Sequence, residues 1–288
     1  MSITDEIKDS FKQGSIVTKL IYINAAVFII VRLWHVFFNM SGTQDNRFDL
    51  IYWLTAPTEL SDLITKPWTI ITYMFLHFDF IHILFNMLWL FWFGVIFLRY
   101  LTPKQLLTTY LLGGISGFAL HLLFYNAINA VNPGLLGASA AVMAIFIAIS
   151  FYVPDYTIYL LFIGPVKLKY IAIVIVFLDI IQMASFDNVG HLAHLGGALY
   201  GYIFILRYKK GRELGKGFSR FLDSVFSLFK PRKKMKVTYR KTADDFEYNR
   251  QKAVKQEEID KILDKIAQSG YKSLSKEEKE KLFRMSKE

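Results

Sequence analysis

The chain of 288 residues contains no cysteine, which excludes disulfide bonds and thiol catalysis. No small-residue cleavage site follows its first apolar run, so we expect that run to be retained as a membrane anchor. Residues 1–208 carry no net charge, with 11 basic and 11 acidic residues, and the whole formal excess of +10 lies in residues 209–288. This tail suits the cytoplasmic side of a membrane and anionic lipid, and it lacks the pattern of a module that binds nucleic acid.

Apolar residues, in contrast, are abundant. They make up 53% of the chain, and the mean hydropathy is +0.32, which is high for a soluble domain. A membrane-spanning helix needs roughly 20 mainly apolar residues, and six such segments occur at residues 20–38, 82–100, 105–125, 136–153, 168–185 and 191–208. The sequence therefore predicts an all-α membrane protein, a bundle of six transmembrane helices.

The distribution of Lys and Arg predicts the orientation of these spans. Residues 126–135 and 186–190 contain no Lys or Arg, whereas the alternate connections and the tail do. Because Lys and Arg are retained in the cytoplasm, both termini are predicted to be cytoplasmic. Spans 2, 4 and 6 then begin near the outer face, and Ser139 lies about one helical turn below it.

The predicted organisation has three parts. They are a cytoplasmic N-terminal segment (1–19), a six-span domain (20–208) and a basic cytoplasmic tail (209–288). Within the domain, the outer loop 39–81 is long enough to have structure or function of its own. Its aromatic residues, Trp68 among them, favour a flap lying in the membrane interface. A solvated loop with a few anchors fits its composition equally well.

The tail contains two amphipathic stretches. Apolar residues at helical spacing in 218–229 precede a basic run at 232–236, a combination that suits a helix on the inner leaflet. Farther on, a stripe over 259–266 precedes Ser275 and Glu278, which form a capping box. We expect a two-helix hairpin that binds anionic lipid or a cytoplasmic partner; a solvated charged tail is the alternative.

Polar residues that could take part in a reaction lie at the starts of spans 2 and 4. Ser139 follows Gly137 and Ala138, and small neighbours leave a hydroxyl uncrowded, although they also suit plain helix packing. His82 and Asn86 are four residues apart, so they share one face of span 2. Both side chains are expected to face the interior of the bundle.

Span 6 carries two histidines and a glycine seam. His191 and His194 lie three residues apart on one face, and Gly197 and Gly201 form the Gly-x-x-x-Gly pattern that permits close helix approach. Span 4 has a matching row of alanines. Spans 4 and 6 are therefore expected to pack closely enough for Ser139 to hydrogen-bond a histidine of span 6.

Two chemistries could use these histidines. A metal site for hydrolysis would need three or four ligands and a general base, but spans 2 to 6 contain no glutamate and no His-Glu-x-x-His motif, so no metal or other cofactor is expected. A serine nucleophile needs a base and oxyanion donors, which a histidine, His82 and Asn86 would supply. A channel or transporter is a third alternative, and it would need a charged residue in the middle of the membrane. Within spans 4 to 6, Asp179 is the one charged residue that lies away from the ends of the spans.

Three motifs, in their order along the chain, resemble the rhomboid family of intramembrane serine proteases: the run from His77 to Asn86, Gly137-Ala-Ser139, and Ala193-His194-x-x-Gly197-x-x-x-Gly201. The resemblance covers residues 15–208, and the six-span order agrees with it. It implies a rhomboid-like fold and an enzyme that cuts single-span or other transmembrane proteins near the outer face of the bilayer.

The resemblance also implies residue roles. Ser139 would be the nucleophile and His194 its general base, in a dyad that requires no carboxylate. His82 and Asn86, with the backbone N–H of Ser139, would stabilise the oxyanion. His191 receives no role and is interpreted as a satisfied polar group.

The chain departs from the family pattern at three places. Ala140 stands where glycine often follows the serine, and Met143 replaces an aromatic ring that stacks on the histidine. Trp68 is followed by Thr69 instead of arginine. The alternative to a protease is a catalytically silent relative that binds transmembrane segments, against which the retained serine and histidine argue. We expect a bacterial-type plasma membrane as its location.

Overall fold

The computed structural model describes residues 2–42, 45–128, 134–183, 189–229 and 242–285. Its Cα positions form two compact units, Met1–Phe229 and Lys230–Glu288. The elements of the first unit, in chain order, are α1 (Ile3–Gln13), α2 (Ile16–Met40), α3 (Leu50–Leu54), α4 (Leu60–Thr65), α5 (Thr69–Thr72), α6 (Phe80–Tyr100), α7 (Pro103–Ala127), α8 (Ser139–Tyr152), β1 (Thr157–Leu160), β2 (Gly164–Lys167), α9 (Leu168–Gln182), α10 (Val189–Lys209) and α11 (Lys216–Phe229).

A helix lies in each of the six segments predicted to span the membrane. Of the helices in the described part of the chain, α2, α6 and α7 are long and apolar enough to cross a bilayer. Helix α8 is apolar but has only 14 residues, about 21 Å of helix against a hydrocarbon core of about 30 Å. The count of six spans stays a prediction. Of the cation-free stretches 126–135 and 186–190, residues 129–133 and 186–188 lie outside the described residues.

The first helix of the bundle begins earlier than its apolar run suggests. Helix α2 starts at Ile16 because Ser15 caps it, its hydroxyl accepting the N–H of Thr18 at 3.2 Å. The polar segment before it is also helical. Ser2 and Asp5 form a capping box at the start of α1, which shows that local capping residues define helix ends that hydropathy does not reveal.

The long loop after α2 contains structure of its own, as its length predicts. It forms α3, α4 and α5, and Trp68 donates its indole N–H to the carbonyl of Trp53 at 2.8 Å. The two indole rings also stack, with centroids 6.1 Å apart. Its position in the membrane interface stays a prediction.

A short antiparallel hairpin, β1–β2, joins α8 to α9, and it is absent from the sequence-based interpretation. Its base is held by Asp155, whose carboxylate accepts hydrogen bonds from Lys167 and Lys169, each at 2.9 Å. The two ammonium groups lower the pKa of Asp155 to about 2. Pro165 is compatible with this edge pairing because the hairpin has only two strands.

Helix α8 is the central helix of the first unit. It contacts α6, α7, α9 and α10, and every residue from Ala140 to Ser150 is buried. The expected seam with α10 is confirmed: a Cβ on Gly197 would lie 2.1 Å from the Ala140 carbonyl oxygen, and one on Gly201 would lie 2.2 Å from that of Ala144. Side chains at either position would force the two helices apart.

A second glycine seam, on α7, was not predicted. A Cβ on Gly113 would lie 2.2 Å from the Ala144 Cβ, and one on Gly117 would lie 2.6 Å from the Ala140 Cβ. The pattern Gly113-x-x-x-Gly117 is the same signal that identified the α10 seam. Helix α8 is thus enclosed by small residues on two sides.

Helix α11 packs through its apolar face against the other helices of the first unit. Phe218 and Leu222 contact the core, and Asp223 forms an ion pair with Lys104 at the start of α7. The basic run 232–236 lies outside the described residues. Contact of α11 with lipid stays a prediction.

The second unit contains the expected two-helix hairpin, α12 (Thr242–Ser269) and α13 (Lys276–Met285). The capping box is confirmed: the N–H of Glu278 donates to the Ser275 hydroxyl at 3.2 Å, and the N–H of Ser275 donates to the Glu278 carboxylate at 2.7 Å. Lys265 pairs with the same carboxylate across the hairpin. The binding of this hairpin to anionic lipid or to a cytoplasmic partner stays a prediction.

Candidate active site

Ser139 is the first residue of α8, and Ala138 occupies the N-cap position without a capping side chain. The first hydrogen bond of the helix runs from the Val142 N–H to the Ala138 carbonyl, at 2.9 Å. The N–H groups of the three residues before Val142 therefore receive no partner from the helix itself. A helix N-terminus without a capping side chain favours negative charge beside Ser139.

Backbone contacts fix the turn that presents Ser139. The N–H of Gly137 donates to the Tyr73 carbonyl at 2.9 Å, and the N–H of Ala138 donates to Nε2 of His77 at 3.3 Å. Gly137 has a φ of +117°, in the region that favours glycine. His77 is thus a support of the serine turn, a role that sequence reasoning did not give it.

His82 and Asn86 face Ser139 from helix α6. Nε2 of His82 lies 3.1 Å, and Oγ of Ser139 3.9 Å, from the place where a Cβ on Gly137 would be. The missing side chain of Gly137 therefore provides the space in which the imidazole and the hydroxyl approach each other. The Asn86 amide donates one hydrogen to the His82 carbonyl at 3.0 Å; its second hydrogen has no partner among the residues that the structure describes and can serve a ligand.

One cavity of about 270 Å³ brings most of the predicted site residues together. Ser139, His82, Asn86, Met143 and His194 all line it. Its other walls are the aromatic and aliphatic side chains of Phe85, Trp89, Val142 and Ile175, together with Asp179. The lining is mainly apolar with a few convergent polar groups, which is the usual character of a ligand site.

Two predicted packing residues and one loop residue lie elsewhere. Gly197 and Gly201 form the seam that brings α10 against α8. Trp68 is 45% exposed and belongs to the loop helices, not to the cavity wall. The seam residues act on the cavity indirectly, because they set the distance between the helices that carry Ser139 and His194.

Sequence reasoning missed the partner of the two histidines of α10. Oδ1 of Asp179 lies 3.0 Å from Nδ1 of His194 and 2.7 Å from Nδ1 of His191. The available signal was a carboxylate inside an apolar helix, which is costly and usually functional. Because the three ligand atoms lie within 4.8 Å of one another, this trio could also hold a metal ion.

Two family models match the chain. One, described as the Rhomboid domain, matches residues 65–210, and the other, described as a family of unknown function (DUF6576), matches residues 241–288. The first match contains every residue that lines the cavity. The second coincides with the helical hairpin of the second unit.

Two curated relatives have similar sequences. The RHOMBOID-like protein 12, mitochondrial, of Arabidopsis thaliana is 32% identical over 211 residues, which cover 68% of this chain and 59% of that protein. The Presenilin-associated rhomboid-like protein A, mitochondrial, of Danio rerio is 27% identical over 214 residues, covering 71% and 51%. The chain thus spans between half and three fifths of the relatives' lengths. Both names include the word mitochondrial, which conflicts with the expectation of a bacterial-type plasma membrane.

Proposed function

The chain belongs to the rhomboid family of membrane proteins, and from this premise we propose that it is a serine endopeptidase that cuts transmembrane protein substrates within the membrane. The observation that carries the proposal is the cavity at the start of α8. A serine, a histidine whose Nε2 has no hydrogen-bond partner within the described part of the chain, and a second polar pair on α6 converge there. These are the three kinds of group that acyl transfer requires.

In the proposed reaction, Oγ of Ser139 attacks the scissile carbonyl carbon and its proton passes to Nε2 of His194. The proton then moves to the leaving amine as the C–N bond breaks. Water, activated by the same nitrogen, hydrolyses the resulting ester and restores the serine. His194 suits this role because Asp179 occupies Nδ1 and leaves Nε2 for the serine.

The tetrahedral intermediate carries a negative oxygen that needs hydrogen-bond donors. His82 and the free amide hydrogen of Asn86 face the cavity from one side, and the N-terminus of α8 faces it from the other. Donors arranged before the reaction stabilise the developing charge without reorganisation. We assign His82, Asn86 and the Ser139 N–H to this oxyanion site.

The short length of α8 supports a site just inside the membrane. If the Tyr152 end of α8 reaches one face of the bilayer, Ser139 lies roughly 10 Å below the other. That depth admits water from one side and a substrate helix from the lipid. We propose that both termini lie on the opposite side from Ser139, as the cation distribution predicts.

The proposal is tested with the purified chain in proteoliposomes and a single-span substrate with a helix-breaking segment. Ser139→Ala and His194→Ala are expected to lower kcat by at least about 10³-fold. Ser150→Ala is the matched control, because Ser150 lies on the same helix, is buried and does not line the cavity. A fluorophosphonate should label the wild type at Ser139 and should not label Ser139→Ala.

Three results would count against the protease. Cleavage that persists in the Ser139→Ala variant would mean that a residue other than Ser139 is the nucleophile. Labelling of a different serine would do the same. Substrate binding without any cleavage or labelling by the wild type would favour a silent binder of transmembrane segments.

A further inference from the structure

Asp179 is a buried carboxylate in the wall of the cavity that Ser139 and His194 also line. Its side chain is 8% exposed, and it lies on α9, whose other residues from Ile171 to Ile181 are apolar. Both hydrogen-bond distances to the α10 histidines run to the same oxygen, Oδ1. A charge buried in this setting is retained only where partners compensate it.

The contacts determine which nitrogen of His194 carries a proton. An ionised carboxylate oxygen can only accept, so Nδ1 of His194, at 3.0 Å, must donate. In the neutral imidazole this leaves Nε2 without a proton, as a general base requires. The opposite tautomer would place a lone pair against the carboxylate and a proton on the nitrogen that has to accept one.

We propose that Asp179 is a positioning residue that holds His194 in the productive tautomer and orientation, and that His191 keeps the Asp179 carboxylate in place. The inference rests on the proposed protease function. It converts the expected dyad of Ser139 and His194 into a carboxylate–imidazole–serine arrangement. Asp179 acts through His194 and needs no contact with the substrate.

Charge balance gives Asp179 a second effect. With both imidazoles neutral, the cluster of Asp179, His191 and His194 carries one negative charge. When His194 takes the proton of Ser139, the cluster becomes neutral. The negative charge passes to the oxyanion formed from the scissile carbonyl, and the Asp179 carboxylate stabilises the imidazolium beside it, which favours the transfer in a site of low dielectric.

His191 explains why the carboxylate stays directed at α10. Its Nδ1 donates to Oδ1 at 2.7 Å, the shorter of the two contacts. Oδ2 of Asp179 is buried and has no hydrogen-bond partner among the residues that the structure describes. Without His191, a rotation that exposes Oδ2 to water or to another donor would cost less and would compete with the contact to His194.

The main test compares Asp179→Asn with the wild type. The isosteric change keeps the volume but removes the charge, and we expect kcat to fall by at least about 100-fold while KM stays within about two-fold. Asp155→Asn, the same change at an exposed carboxylate of the hairpin, should leave both constants unchanged. If the wild type is active and Asp179→Asn has the same kcat, the inference is overturned while the proposed function stands.

A second arm tests His191 by rescue. His191→Ala should lower kcat roughly 10-fold, the size of effect typical for groups that orient a functional imidazole. His191→Asn should recover most of it, because the asparagine amide can place an N–H near the position of Nδ1. Equal loss in both variants, with normal thermal stability, would remove His191 from the arrangement.

The third arm does not depend on activity. Nitrogen-15 NMR of the imidazoles, assigned with His194→Gln, should show a protonated Nδ1 on His194 in the wild type and a mixed or reversed tautomer in Asp179→Asn. An unchanged tautomer would overturn the inference even if no substrate is cleaved. Cleavage that a chelator abolishes and Zn²⁺ restores would also overturn it, in favour of a metal ion held by the same three residues.

Discussion

Gly197 of α10 and Ala140 of α8 meet so closely that a Cβ on the glycine would lie 2.1 Å from the alanine carbonyl oxygen. Ala140 directly follows the candidate nucleophile, and Gly197 lies three residues, about one turn, after His194. The separation between the serine and the histidine is therefore set by a backbone contact between two residues that have no chemistry of their own.

This contact predicts the effect of a single methyl group. Gly197→Ala should lower the free energy of unfolding by about 1–3 kcal/mol, because the helices must separate to admit the Cβ. It should also lower cleavage strongly, since Ser139 and His194 would move apart. Gly217→Ala is the matched control, because nothing lies within 4 Å of its added Cβ. Cleavage and thermal unfolding are measured for both variants. An equal loss of activity in the two would contradict the prediction.

A second prediction separates backbone strain from contact with the site. Gly137 and Gly211 have φ values of +117° and +71°, but only a Cβ on Gly137 meets a neighbour, His82 Cε1 at 2.8 Å. Both Gly→Ala changes should destabilise the protein, by about 1 kcal/mol or more. Only Gly137→Ala should also abolish substrate cleavage and fluorophosphonate labelling. Normal labelling of Gly137→Ala would show that His82 tolerates displacement.

The oxyanion assignment gives a third prediction. His82→Ala and Asn86→Ala should each lower kcat about 10²–10³-fold, with a smaller effect on KM, because the lost donors act mainly in the transition state. Asn39→Ala, at an exposed position near the end of α2, is the control for the amide change. A rise in KM with unchanged kcat would instead assign the pair to substrate binding.

The orientation in the membrane gives a fourth prediction, which benefits from the absence of native cysteine. Ser61 in α4 and Ser224 in α11 are both exposed, and five helices of the bundle separate them along the chain if the six predicted spans are correct. An impermeant maleimide should label Ser61→Cys and Ser224→Cys from opposite sides of the membrane. Labelling of both from one side would mean an even number of crossings between them.

Part of the fold and of the site followed from local pattern. The seam of Gly197 and Gly201 and the shared face of His82 and Asn86 were predicted, because residues four apart lie on one side of a helix whatever surrounds it. The capping box of Ser275 and Glu278 was predicted because a serine followed three residues later by a glutamate is itself a helix-start signal. Each of these signals is contained within a few turns of one helix.

Other features left little local signal or depended on elements that are distant in the chain. The β1–β2 hairpin was not predicted, since a two-stranded pairing leaves little periodic signal in four-residue strands. The α7 seam was visible as Gly113-x-x-x-Gly117 but had no assigned partner until α8 was seen beside it. Trp68, expected to anchor the outer loop, is held there by Trp53 of α3.

By itself, the sequence determined which chemical groups are present: apolar segments for a membrane, a serine among small residues, two histidines on one helix face, and no cysteine. Only the tertiary structure decided which of these groups contact one another. Asp179 lies 12 residues before His191 and 15 before His194, and no helical periodicity links α9 to α10. Their contact exists because α9 and α10 pack together beside α8, and a hydrogen bond across a helix interface is a property of that packing, not of either helix alone.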